Sequence, residues 1–235
     1  MKKKAVVVHS GGMDSSLCLA LAIKEYGADH VLSVSFTYNQ RHAIELDRAR
    51  KISEHFKVDH AEINLDCLSQ ITESALIGKD KKIEHKPGEA PNTLVVGRNG
   101  LMARVAGIHA HSLGAQSIYM GVMELEGANS GYRDCSRSYM DLIQTALRLD
   151  FANDSFKIRT PLVMMTKKDT MELGHELGVL EYLLETTVTC YEGIEKAGCM
   201  KCPACKLRNS GLKIFSLEHP EFNYSYKEQI LNLIA

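Results

Sequence analysis

The chain has 235 residues, enough for one substantial apolar core with a small appendage, and its 45% hydrophobic and 24% charged residues are ordinary for a globular protein. The formal net charge is −1, and Lys and Arg are scattered apart from Lys2, Lys3, Lys4 and the 79–82 cluster, which argues against a large nucleic-acid footprint. No run approaches the length of a membrane span, and no secretory signal is read at the start, so seven cysteines point to metal or catalysis in a reducing, cytoplasmic setting rather than to disulfides.

Residues 4–9 carry the β-branched run Val6-Val7-Val8 and read as the first, central strand, with a helix over 15–26 stopped by Gly27. Residues 30–38 form a second strand, 41–56 a helix with Ile44, Ala49, Ile52 and Phe56 near helical spacing, and 59–65 a third strand. A helix over 68–77 is followed by a polar, proline-containing loop or lid at 78–91. Further on, helices are expected over 99–113, 138–149 and 205–217, strands over 117–122 and 156–159, and a glycine-rich loop over 124–133. Thr166 can cap a helix running to Leu177 with Gly178 as its stop, and 180–184 is a short apolar segment. Alternating strands and helices predict an α/β fold, a doubly wound parallel sheet with helices on both faces. The expected organisation is an α/β unit at 1–185 and a small metal-binding, helical lobe at 186–235, packed as one.

The stretch Ser10-Gly11-Gly12-Met13-Asp14-Ser15-Ser16 lies between the first strand and the first helix. That position presents backbone N–H groups to an anion, with help from the helix dipole. Glycines permit close backbone approach, and Ser15 and Ser16 suit an N-cap and add hydroxyl donors. No Gly-Lys-Ser/Thr closes it as a Walker A loop, and no Gly-x-Gly-x-x-Gly marks a dinucleotide site. In a sheet of this kind, ligands sit outside the carboxyl ends of the strands, where this stretch falls.

Cys190, Cys199, Cys202 and Cys205 lie in a Cys-x8-Cys-x2-Cys-x2-Cys pattern. Four thiolates complement a tetrahedral, structural Zn²⁺ with no open position, and an iron–sulfur cluster is the competing reading. His109 and His111 are two apart on a helix and make a poor metal pair. Cys135, beside Asp134, is the free cysteine best placed for chemistry.

Ser-Gly-Gly-x-Asp-Ser resembles the pyrophosphate loop of the ATP pyrophosphatases. Other segments narrow the resemblance: Tyr38-Asn39-Gln40-Arg41-His42, Val96-Gly97-Arg98-Asn99, Ser130-Gly131-Tyr132 with Asp134-Cys135, Thr160-Pro161-Leu162 before Lys167, Thr189-Cys190-Tyr191 and Cys202-Pro203-Ala204-Cys205. In this order they are similar to the 7-cyano-7-deazaguanine synthase family of the queuosine pathway, over nearly the whole chain. The resemblance implies ATP-dependent nitrile synthesis from 7-carboxy-7-deazaguanine and ammonia, through an adenylated carboxylate and an amide, in a homodimer. It implies that Ser10, Gly11, Gly12, Ser15 and Ser16 hold pyrophosphate, with Met13 alongside and Asp14 next to Mg²⁺, while Arg98 and Lys167 bring positive charge. His9, Phe36, Tyr38, Arg41, His42 and Gly97 would border the ATP, and Asn99, Glu124, Tyr132 and Asp134 the substrate.

The chain departs from the family pattern in two places. Val96 stands where the family carries proline before Gly-Arg-Asn, and residues 124–136 are longer, with Arg133 and Ser136 flanking Asp134-Cys135 in place of proline and arginine. These departures leave the adenylating loop and the cysteines intact and fall on the acceptor side. They raise a second reading, in which the adenylated 7-deazaguanine carboxylate passes to another amine, such as one on a protein partner. A tRNA-modifying ATP pyrophosphatase is a third, opposed by the charge.

Overall fold

The computed structural model describes residues 1–39, 44–72, 74–77, 92–125 and 131–233. Ala5-Val6-Val7-Val8 forms β1 (Ala5–Val8), which pairs in parallel with β2 (Val31–Thr37) on one side and β4 (Ser117–Tyr119) on the other. β3 (Asp59–Asn64) and β5 (Lys157–Arg159) complete a parallel sheet in the order β3-β2-β1-β4-β5, with Val6 opposite both Leu32 and Ile118. A strand with parallel neighbours on both edges and helices on both faces is shielded from water until its carboxyl end, where Val8 lines the cavity, which is why β1 is a continuous apolar run.

The helices are α1 (Met13–Tyr26), α2 (Ile44–His55), α3 (Cys67–Ile71), α4 (Arg98–Ser112), α5 (Arg137–Phe151), α6 (Lys167–Glu176), α7 (Leu180–Thr186), α8 (Pro203–Glu218) and α9 (Lys227–Leu231). Ala5 and Val7 point into a cluster with Leu17, Ile52, Met171, Leu183 and Phe215, so α1, α2, α6, α7 and α8 cover one face. Val6 and Val34 point the other way, into Met102, Ala106, Met140 and Leu147 of α4 and α5. Leu212 and Phe215 of α8 are fully buried in the same cluster as Leu17. Burial of each such side chain is worth about 1.5–3 kcal/mol, so α8 is tied to the sheet's covering layer. No helix among the described residues is long and apolar enough to cross a membrane.

The architecture is the expected doubly wound parallel sheet, with several local differences. Ser15 and Ser16 are not N-caps: Gly12 is, and α1 starts two residues early, so both serines stand in the first turn with their hydroxyls donating to the Gly12 carbonyl. The helix expected over 68–77 ends at Ile71, because Ala75 N–H and the Ser74 hydroxyl both bond the Asn92 carbonyl. β4 stops at Tyr119, and Met120 to Met123 run on irregularly, with Met120 N–H on Arg159 O at 2.9 Å. The 180–184 segment is the helix α7, and α9 was not foreseen. The loop or lid at 78–91, Arg41, His42 and residues 126–130 lie outside the described residues.

The sheet order reverses at β1, whose neighbours β2 and β4 lead away in opposite directions. The loops leaving β1 and β4 therefore diverge at their carboxyl ends, and a crevice opens between them.

Candidate active site

A cavity of about 680 Å³ fills that crevice, within the range of small-molecule sites. One wall is the stretch from Ser10 to Ser15, where the sequence led us to expect a phosphate loop. Ser15 Oγ accepts from Ser10 N–H at 3.1 Å and donates to Gly12 O at 3.1 Å, which fixes the loop's curl. Beneath it His9 is buried, with Nε2 3.0 Å from Ser16 Oγ and Nδ1 3.0 Å from Ser33 Oγ, which in turn lies 2.9 Å from His60 Nδ1. Burial, with His60 nearby, pushes the His9 pKa down to about 3, so it is a neutral prop under the loop.

The loop residues divide by position. Ser10, Gly12, Met13, Asp14 and Ser15 line the cavity, whereas Ser16 is fully buried and turned to His9. Gly11 also faces away. Its φ is +77°, and a Cβ there would overlap the Glu45 carbonyl and lie 2.8 Å from the Ala49 nitrogen. The close approach that this glycine permits is to α2, not to a ligand.

Lys167, the first residue of α6, reaches the loop from the opposite end of the chain. A capping box between Thr166 and Asp169 sets this helix start. The Lys167 ammonium donates to both Asp14 carboxylate oxygens, at 2.8 and 2.6 Å. Lys167 thus places one positive charge against Asp14, the residue expected beside Mg²⁺.

Arg98 opens α4 after Gly97, which holds a left-handed conformation at φ +72°. Arg98 Nη1 donates to Tyr38 OH at 3.1 Å, with the guanidinium carbon 5.7 Å from the Tyr38 ring centre. Burial opposes its charge, and Tyr38, Glu45 and Asp134 around it hold the guanidinium protonated. Phe36, Tyr38, Arg98, Asn99 and Tyr132 line the cavity. Asp134 is buried, with Oδ2 accepting from Asn99 N–H at 3.2 Å and Oδ1 left without a partner among the described residues. Glu124 stands apart from the lining: its carboxylate accepts from Arg137 N–H at 2.7 Å, at the start of α5. Cys135 lines the cavity, but burial and Asp134 push its thiol up to about 12, which removes it as a ready nucleophile.

The lining residues to which the sequence assigned no role include Glu45 and Thr189. Glu45 reads as an ordinary exposed acid at a helix start, and nothing in its spacing sets it apart. Thr189, together with Tyr191, Pro203 and Ala204, lines the cavity from the cysteine lobe.

The Sγ atoms of Cys190, Cys199, Cys202 and Cys205 all lie within 4.8 Å of one another. Tetrahedral Zn–S bonds of about 2.3 Å set the sulfurs about 3.8 Å apart, so the donor set fits. Amide N–H groups of Glu192, Cys199, Cys202 and Cys205 point at the sulfurs at 3.3 to 3.4 Å, the arrangement that stabilises thiolates. Because Thr189 and Pro203 adjoin ligand cysteines and line the cavity, a closed metal site would brace its wall rather than take part in chemistry.

Among solved structures, the chain is similar to the NMN synthetase of Francisella tularensis, with 15% identity over 98% of this chain and 83% of that one and a TM-score of 0.47. It is also similar to the NH3-dependent NAD synthetase of Campylobacter jejuni in complex with the nitrate ion, with 12% identity over 99% and 84% and a TM-score of 0.48. A family model described as queuosine biosynthesis protein QueC matches residues 4–216, nearly the whole chain. The chain belongs to the QueC family.

Proposed function

We propose that this protein makes 7-cyano-7-deazaguanine from 7-carboxy-7-deazaguanine and ammonia, cleaving ATP to AMP and pyrophosphate. Family membership carries the coarser statement, an ATP-using PP-loop enzyme of queuosine biosynthesis. One observation carries the site assignment: a single cavity is lined by the Ser10–Ser15 loop, the Asp14–Lys167 pair and Arg98.

A carboxylate is a poor electrophile, and adenylation turns one of its oxygens into a leaving group. In this reading Ser10, Gly12 and Ser15, at the start of α1, receive the departing pyrophosphate with N–H and hydroxyl donors. Lys167 and Arg98 neutralise phosphate charge, and Phe36 and Tyr38 border the nucleotide. Mg²⁺ then enters with the phosphates of ATP. Asn99 and Tyr132 form the substrate side, and Asp134, buried behind the lining, holds Asn99 in place by accepting from its backbone N–H. Ammonia attack gives the amide, and a second adenylation, on the amide oxygen, leads to the nitrile. Cys190, Cys199, Cys202 and Cys205 would hold Zn²⁺, which would brace the wall at Thr189 and Pro203.

The experiment is pyrophosphate exchange: labelled pyrophosphate should enter ATP only when 7-carboxy-7-deazaguanine is present. Exchange independent of that acid would oppose the reading. The altered segment 124–136 favours a second reading, in which the same acyl-adenylate passes to a larger amine, including one on a protein partner. Its Ser136 caps α5 by accepting from Tyr139 N–H, and its Glu124 binds Arg137, so both are engaged in holding that helix.

A further inference from the structure

The chemistry proposed above removes protons from nitrogen, and none of the residues assigned so far accepts one. Among the described residues, the carboxylates lining the cavity are Asp14 and Glu45. Both oxygens of Asp14 are held by Lys167, and both ring nitrogens of His9 are hydrogen-bonded. Burial raises the Tyr38 and Tyr191 hydroxyls and the Cys135 thiol, which makes each harder to deprotonate.

Glu45 is placed differently. It lies in the first turn of α2, and its backbone carbonyl is pressed onto Gly11, where the missing side chain lets α2 dock on the phosphate loop. Glu45 lines the cavity, and its charge acts on Tyr38, just beyond β2, and on Arg98 at the start of α4.

We propose that Glu45 is the general base for forming the carbon–nitrogen bond. This assignment rests on the adenylation reading above. The amine lone pair bonds to the acyl carbon, the bond from that carbon to the AMP phosphate oxygen breaks with its electron pair leaving on AMP, and the N–H proton goes to the Glu45 carboxylate. The same carboxylate serves when the adenylated amide collapses: the N–H pair becomes the third carbon–nitrogen bond as AMP departs. Burial, opposed by the Arg98 charge, pushes the Glu45 carboxyl up to about 7. A base in that range is substantially loaded at neutral pH and still accepts protons efficiently.

The test is Glu45→Gln, read by substrate-dependent pyrophosphate exchange and by product formation with ammonia across a pH series. Exchange should persist, product turnover should fall about 10²- to 10⁴-fold, and the acidic limb of the wild-type profile near pH 7 should vanish. Wild-type product turnover with the limb intact overturns the assignment. So does joint loss of exchange and product in folded, zinc-loaded protein, which would place Glu45 in nucleotide binding. Should the Gln variant not fold, Glu45→Asp carries the same test: exchange retained and product reduced supports the role, and unchanged product overturns it. No exchange in the wild-type protein overturns the adenylation reading, and this assignment with it.

Discussion

Lys167 Nζ lies 2.8 and 2.6 Å from the two carboxylate oxygens of Asp14, joining the first turn of α1 to the first residue of α6 across 153 positions of sequence. The lysine side chain is 11% exposed and the aspartate 28%, so the pair is screened by water far less than a surface bridge. It fixes one ammonium beside the proposed phosphate loop, which has no lysine of its own.

Removing either partner should therefore act on adenylation first. In Lys167→Met, pyrophosphate exchange is expected to fall about 10²-fold or more, the scale seen when a positioned electrostatic group is lost. Stability should drop by about 1–3 kcal/mol, because a partly buried carboxylate loses its partner. Asp14→Asn should likewise abolish exchange while the fold is retained. Exchange assays and urea midpoints check both, and wild-type exchange in either variant would contradict the assignment.

Gly211 on α8 governs the same pair from behind. A Cβ at this position would sit 2.5 Å from Lys167 Cβ and 2.8 Å from the Lys167 carbonyl carbon. Gly211→Ala should displace the start of α6 and lower exchange severalfold, with zinc content unchanged. Metal analysis beside the exchange assay separates this from collapse of the lobe. Unaltered exchange would show that α6 absorbs the methyl without moving Lys167.

The Ser10–Ser15 loop and the four cysteines were legible because each packs its chemistry into a short stretch: a glycine turn between a buried strand and a helix, and thiols at turn spacing. The parallel sheet was legible from its alternation of strand and helix patterns. Partnerships were not. Nothing local says that Lys167 closes on Asp14, that Gly11 yields to α2 rather than to a ligand, or that Glu124 holds the start of α5. These depend on how distant elements dock. Glu45 was missed for the same reason, since its burial comes from neighbours on other elements.

The cysteine cluster should bind one zinc per chain, and its loss should be felt as stability, because binding energy at such a site is folding energy. Cys202→Ser or prolonged chelation is expected to lower the melting temperature markedly and to loosen the cavity wall at Thr189 and Pro203. Elemental analysis and thermal melts test this. Iron with visible absorbance in the purified protein would contradict the zinc assignment.

His9 gives the fold a pH dependence. The unfolded chain binds a proton at His9 below pH 6.5, and the folded chain refuses it until about pH 3. Its contribution is therefore complete above pH 6.5 and is lost as the pH falls toward 3, at about 1.4 kcal/mol per pH unit. His9→Gln, which can still bridge Ser16 and Ser33, should flatten the loss between pH 6.5 and about pH 5 by about 1–2 kcal/mol. Urea unfolding at the two pH values measures this. Equal pH dependence in both proteins would show that His9 does not stay neutral.

The most direct measurement follows the products when the protein is incubated with ATP, 7-carboxy-7-deazaguanine and isotopically labelled ammonia. We expect AMP and pyrophosphate in equal amounts, with the label recovered in 7-cyano-7-deazaguanine. AMP release in which the 7-deazaguanine mass appears on another amine would shift the acceptor to the second reading while preserving adenylation. Release of ADP and phosphate, or no ATP cleavage with the acid present, would contradict an adenylating site built on Asp14, Ser15, Arg98 and Lys167.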